Sequence, residues 1–263
     1  MSIPKIIHYC WFGGNEKPAL AEKCIKSWKK YCPDYKIIEW NEENYDISAS
    51  PLYVRQAYEA KKWAFVTDYV RLDVVCRHGG IYLDTDVEVI KSLDPLLNHD
   101  CFIGRQPGFQ VNTGAGFGCI AEHLVIKIML DDYKDIPFFK ENGKMDLLTC
   151  PHRNSTWLFQ HGMELANTYQ EIAGCAIYPI EFFSPLDAYT RQLSKTSNTY
   201  SIHHCDASWK PEETAFRKWK RHLLFDAKST ADYLIHLPNR ILQKTLGTEK
   251  YNKIKETLKG IFK

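Results

Sequence analysis

Residues 79–86 read Gly-Gly-Ile-Tyr-Leu-Asp-Thr-Asp: a helix stop, a short apolar run, then two aspartates. The apolar run has the make-up of a short buried strand. The carboxylates fall at its carboxyl end, beyond which ligands bind in open α/β sheets. Just upstream, residues 61–77 carry Ala64, Phe65, Leu72, Val75 and Cys76 at helical spacing, with Asp68 and Arg71 three apart and so neighbours on one face. Earlier strand-like runs at 5–12 and 35–40 flank a helix-like stretch at 18–31, where Pro18 suits a first turn. Strand alternating with helix predicts an α/β domain around a mostly parallel central sheet. Downstream, 122–133 and 154–168 are expected to be helical, 176–180 and 199–203 extended, and 210–263 largely helical.

The chain has 263 residues, 44% hydrophobic and 25% charged, which suits a globular domain with a substantial core and excludes disordered and fibrous classes. No stretch reaches the roughly 18 uncharged apolar residues of a spanning helix, so a cytoplasmic protein is expected, one that could sit peripherally at the inner membrane face. Nine cysteines are scattered without a C-x-x-C pair, which predicts reduced, buried thiols rather than a disulfide framework or a zinc knot. The net charge of +2 hides an asymmetry: beyond residue 209 there are 13 Lys/Arg against 6 Asp/Glu, which leaves −5 for residues 1–209. The expected division is therefore a catalytic domain over 1–209 and a basic extension over 210–263. An acidic body argues against a nucleic-acid partner.

Two aspartates at i and i+2 point to opposite sides of a regular strand, so Asp84 and Asp86 reach one ion only if the chain turns at Thr85 or one acts through water. Mg2+ and Mn2+ take such oxygen ligands and bridge them to phosphate oxygens. The pair is common by chance, and its surroundings give it meaning. W-A-F-V-T-D-Y-V-R-L (63–72) precedes it, I-P-K-I-I-H-Y-C-W-F-G-G (3–14) opens the chain, and I-H-H-C-D-A-S-W (202–209) follows late.

Together, in this order, these blocks resemble glycosyltransferase family 32, and they are similar to the catalytic domains of the clostridial glucosylating toxins over roughly residues 3–209. The resemblance implies a GT-A (Rossmann-like) fold, a retaining sugar transfer and a nucleotide-sugar donor held through Mn2+ or Mg2+. It assigns Trp11 to the nucleobase, Asp68 and Arg71 to ribose and sugar hydroxyls, and Thr67 and Tyr82 to the donor pocket. Asp84 would touch donor and metal, Asp86 would bind the metal directly with His204 beside it, and Ser208 and Trp209 would cover the diphosphate. Asn112 falls where the family places a strand facing the donor sugar, so the catalytic set is Asp84, Asp86, Arg71 and Asn112. The chain departs from the family pattern at Cys205, Asp206 and Ala207, and Thr149-Cys150-Pro151 stands where T-G-P is usual.

Each assignment has a plainer reading from the residues alone. Trp11 could be a core aromatic, Asp68 and Arg71 an ordinary helix pair, and His203 and His204 point opposite ways if extended, so at most one faces the metal. The glycines of 111–118 lack the spacing and context of a dinucleotide fingerprint. The function expected is transfer of a hexose or N-acetylhexosamine from a UDP-sugar to a lipid-linked oligosaccharide in capsule or O-antigen synthesis. A GDP-mannose-dependent mannosyltransferase is the alternative; a sugar nucleotidyltransferase or a non-catalytic carbohydrate-binding protein are those of other classes. The basic, aromatic-interleaved tail either lies on an anionic membrane or packs on the domain.

Overall fold

The structure is a computed structural model that describes residues 2–188 and 190–206. The expected extension over 210–263, its boundary after 209, and Ser208 and Trp209 lie outside these residues. In chain order the strands are β1 (Ile6–Cys10), β2 (Lys36–Trp40), β3 (Gly80–Tyr82), β4 (Val87–Val89), β5 (Cys101–Gly104), β6 (Phe117–Cys119), β7 (Gln170–Ile172), β8 (Cys175–Tyr178) and β9 (Ser201–His203). The helices are α1 (Ala19–Tyr31), α2 (Leu52–Glu59), α3 (Trp63–His78), α4 (Leu124–Asp131), α5 (Cys150–Gln160) and α6 (Ile180–Phe183).

Seven strands form one sheet in the order β2-β1-β3-β6-β5-β8-β7, and β4 pairs with β9 in a separate ribbon. β1 is parallel to β2 and β3, β5 is parallel to β8, and β6 runs antiparallel to both β3 and β5. Five strands therefore share one direction, while β6 and the edge strand β7 reverse it. This is the expected α/β architecture with a mostly parallel sheet.

The central strands are covered on both faces, which is why they read as nearly continuous apolar runs. Ile7 and Tyr9 of β1 join one core with Cys24 and Trp28 of α1. Cys10 joins the other core with Val66, Val70 and Val74 of α3. Fully buried Trp28 also donates its indole N–H to the Val87 carbonyl at 2.7 Å, tying α1 to β4.

α3 ends where Gly79 takes a φ of +65°, and Gly80 follows at +109°. A Cβ on Gly80 would lie 2.9 Å from both His8 Nε2 and the Ile6 carbonyl, so only glycine lets β3 close on β1. His8 fills that junction. Its Nδ1 accepts from Trp40 Nε1 at 3.0 Å, so its proton sits on Nε2 and is donated to the Gly79 carbonyl at 2.8 Å.

The expected helix over 154–168 is α5, displaced toward the N-terminus: it starts at Cys150 with Pro151 in its first turn and stops at Gln160. The reversed strand β6 and the ribbon of β4 with β9 have only three residues per strand, too short for a period to show in the sequence.

Candidate functional site

From β1 the chain moves first to β2 on one side and then to β3 on the other, so the winding switches direction between β1 and β3. Such a switch opens a crevice beyond the strands' carboxyl ends. Trp11 leaves β1 there, and Asp84 and Asp86 leave β3. The chain turns at Thr85–Asp86, closed by a hydrogen bond from Val87 N to the Asp84 carbonyl at 3.0 Å. That turn is the one needed to bring both carboxylates to one side.

Arg71 is the hub of the pocket. Its Nη2 lies 3.2 Å from Asp68 Oδ1 and 3.3 Å from Asp84 Oδ1, with a side chain 6% exposed. Nε donates to the Thr67 carbonyl at 3.0 Å and Nη2 to Thr67 Oγ1 at 3.2 Å, while the guanidinium lies 5.1 Å from the centre of the Tyr82 ring. Tyr82 donates its hydroxyl to Asp84 Oδ1 at 3.0 Å. The four expected pocket residues of 67–82 thus meet in one place, and the burial of the Asp68–Arg71 pair sets it apart from a solvated helix pair. Burial lifts the Asp68 carboxyl to about 6; Arg71 opposes that shift and Asp84 adds to it.

Asp84, Asp86 and His203 each offer a ligand atom, and these atoms lie within 4.8 Å of one another. Of the two adjacent histidines, the structure sets His203 Nε2 3.3 Å from Asp86 Oδ1, whereas His204, the one expected beside the metal, turns the other way and pairs with Glu88 Oε2 at 2.9 Å. The late segment also clamps Asp86 through its backbone, with His204 N to the Asp86 carbonyl and Asp206 N to Asp86 Oδ2, both 2.9 Å. Burial works against ionised Asp86, yet His203 and the Asp206 N–H outweigh it and hold its carboxyl at about 2. Burial likewise opposes the His203 cation, and Asp86 overrides it, so the imidazole pKa lies well above its usual value. Two carboxylates and one imidazole around a shared positive charge fit Mn2+ or Mg2+, which would take the place of that proton.

Asn112, expected to face the donor sugar, bonds within its own loop. Its Oδ1 accepts from Gly114 N at 2.8 Å and Ala115 N at 3.3 Å, and its Nδ2 donates to Gln106 Oε1 at 2.8 Å. It therefore shapes the stretch against which Asp84 rests, as Asp84 N donates to the Gly114 carbonyl at 3.0 Å. Cys150, at the start of α5, places its Sγ 3.6 Å from Arg71 Nη1 and 3.0 Å from Thr113 Oγ1. Burial lifts this thiol to about 12, which leaves it as packing against Arg71. Trp11 is partly exposed, with its indole N–H donated to the Asn15 carbonyl at 2.6 Å. Gly114, packed against Asp84 and Arg71, is a residue of this cluster that sequence reasoning missed.

Asp84, Asp86 and His203 thus form a candidate cation site at the switch point of an α/β sheet, beside the buried Asp68–Arg71 pair. Residues 18–103 match the family model described as a glycosyltransferase sugar-binding region containing a DXD motif. Inositol phosphoceramide mannosyltransferase 3 of Schizosaccharomyces pombe is 34% identical over 121 residues, 44% of this chain and 33% of that protein. Mannosyl phosphorylinositol ceramide synthase CSH1 of Saccharomyces cerevisiae is 27% identical over 162 residues, 56% of this chain and 39% of that protein. The chain thus spans between a third and two fifths of the length of these relatives. Among solved structures, the PaToxG glycosyltransferase is similar with a TM-score of 0.47 at 18% identity, covering 60% of this chain and 70% of that one.

Proposed function

We propose that this protein is a metal-dependent glycosyltransferase that moves a hexose from a nucleotide-sugar to a lipid-borne acceptor. The observation that carries this reading is the convergence of Asp84, Asp86 and His203 at the switch-point crevice, next to the Asp68–Arg71 pair. Asp84, Asp86 and His203 would hold the cation. When bound, it supplies charge stabilisation to the departing diphosphate, more in the transition state than in the ground state. Arg71 is fixed between two carboxylates and holds them in place, while Asp68 offers a carboxylate to sugar hydroxyls. Among the described residues no second carboxylate stands out as a dedicated nucleophile, so retention through front-face attack is the stereochemistry proposed, with the leaving phosphate accepting the acceptor's proton.

Mannose is the proposed sugar, in place of the glucose, galactose or N-acetyl derivatives expected from the sequence, because the two fungal relatives are named for mannose transfer to inositol phosphoceramide. The same names favour a lipid-borne acceptor over one particular polysaccharide pathway. The basic residues beyond 209 support peripheral contact with an anionic membrane, and cosedimentation with anionic but not neutral vesicles at low salt would test it. Among the described residues no helix is long and apolar enough to cross a membrane.

Incubation of the protein with Mn2+ and a panel of nucleotide-sugars tests the main reading. Release of nucleoside diphosphate with the sugar transferred, lost on chelation, is the expected result. Release of pyrophosphate would instead mark a nucleotidyltransferase, and inversion at the anomeric carbon would sink the front-face mechanism.

A further inference from the structure

Beside Trp11, at the same end of the sheet, stand two side chains that the metal chemistry leaves unused. Glu39 lies opposite Tyr9 in the parallel register of β2 with β1. Its Oε2 accepts from Lys17 Nζ at 2.8 Å and from the Tyr9 hydroxyl, while Oε1 receives a longer contact of 3.4 Å from Asn41 Nδ2. Lys17 Nζ sits 5.7 Å from the centre of the Trp11 ring and 6.0 Å from that of Tyr9. The two charged side chains are 25% and 28% exposed, fixed by neighbours yet open to a ligand. An ammonium and a carboxylate are thus held side by side, the ammonium next to the ring proposed to carry the nucleobase.

We propose that Lys17 and Glu39 read the Watson–Crick edge of a guanine stacked on Trp11, which makes the donor a guanosine diphosphate sugar. The inference rests on the nucleotide-sugar reading of the site and replaces the UDP expected from the sequence. Guanine presents an acceptor, a donor and a second donor in a row: O6, N1–H and the 2-amino group. Uracil presents O4, N3–H and O2. The first two positions suit Lys17 and then Glu39 for either base. The third separates them: the 2-amino group of guanine donates to the carboxylate, whereas O2 of uracil meets it as a second acceptor and is repelled. Adenine reverses the first two positions and sets its amino group against the ammonium. A site that hydrogen-bonds a ligand group discriminates strongly against analogues that lack it, because its own polar atoms are then left unpaired.

The test is calorimetric binding of GDP, IDP and UDP to the full chain in Mn2+, for the wild type, Glu39→Gln and Lys17→Met. IDP is GDP without the 2-amino group, so the GDP/IDP ratio reads the third position alone. The expected result is GDP bound about tenfold or more tighter than IDP and UDP. Glu39→Gln should close the gap between GDP and IDP, and Lys17→Met should weaken both alike. UDP bound as tightly as GDP by the wild type would overturn the inference without any variant. An unchanged GDP/IDP ratio in a folded Glu39→Gln protein would also overturn it, leaving Lys17–Glu39 as a tie between the segment before α1 and β2. Binding of none of the three nucleotides would remove the nucleotide-sugar reading itself, a different failure from loss of base preference.

Discussion

A Cβ on Gly114 would lie 2.2 Å from Asp84 Oδ2 and 2.9 Å from Arg71 Nη1, so the loop shaped by Asn112 rests against the first aspartate with no space between. Gly114→Ala must push Asp84 away from Asp86 and His203 or open the loop. Overpacking of this kind costs about 1–3 kcal/mol, and misplacing a metal-side group costs about 10–100-fold in metal affinity or activity. We expect a lower Tm and a manganese requirement raised by about tenfold or more. Wild-type manganese dependence in the alanine variant would show that Asp84 is free to swing aside.

The two adjacent histidines should separate cleanly. His203→Ala removes a group that faces Asp86, whereas His204→Ala removes a partner of Glu88, itself also paired with Lys23 at 2.7 Å. The first should raise the manganese concentration for half-maximal activity by about tenfold or more, and the second should leave it within about twofold. A manganese titration of both variants decides; equal effects would mean that the late strand matters only as a strand.

Trp11→Ala should weaken nucleotide binding by about 1–3 kcal/mol, the worth of stacking a base on an aromatic face. Thermal stability should fall little, because Trp11 is already partly exposed. An unchanged nucleotide Kd with a large loss of Tm would return Trp11 to the core.

His8 gives the fold an acid sensitivity of its own. Burial lowers its pKa from 6.5 to about 4, against the favourable bond to the Gly79 carbonyl. The unfolded chain takes up this proton below about pH 6.5 while the folded one resists until about pH 4, so His8's contribution is fully present above pH 6.5 and is lost as pH falls through that window. The loss amounts to about 3 kcal/mol at 1.36 kcal/mol per unit. A proton NMR titration of the His8 ring, run beside urea unfolding at each pH, checks it; a midpoint near 6.5 would contradict the prediction.

The strands and helices that carry long runs of one period were readable from sequence: β1, β2, α1 and α3 lie within two residues of their expected bounds. So was the meeting of Asp68, Arg71, Tyr82 and Asp84, because a helix stop and a short strand leave few ways to arrange them. What was hidden depends on approach between distant segments. The choice of His203 over His204 is set by the pairing of β9 with β4, which places His203 opposite Val87, and no pattern within 199–206 fixes that register. Asn112 was placed toward the donor by the family resemblance alone, and nothing in the pattern of 111–118 announces that its amide bonds to Gly114, Ala115 and Gln106. Gly114 shows only what is missing, a side chain, and its meaning appears once Asp84 is seen against it.

The ribbon of β4 with β9 also bears on the order in which the protein is made. The bond from Asp206 N to Asp86 Oδ2 joins residues 120 apart, and the last strand of the large sheet, β8, ends at Tyr178, before β9 begins. Synthesis runs from the N-terminus, and a domain folds as a unit. A ribosome therefore exposes both aspartates long before the strand that supplies their imidazole and backbone clamps. The proposed cation site is completed only once β9 is out, and a chain that stops before it carries the two carboxylates without their late partners. Nascent chains arrested with residue 198 at the tunnel exit should show amide protection across β1 and β3 without any gain on adding manganese. Gain at that stage would mean that the aspartates alone suffice.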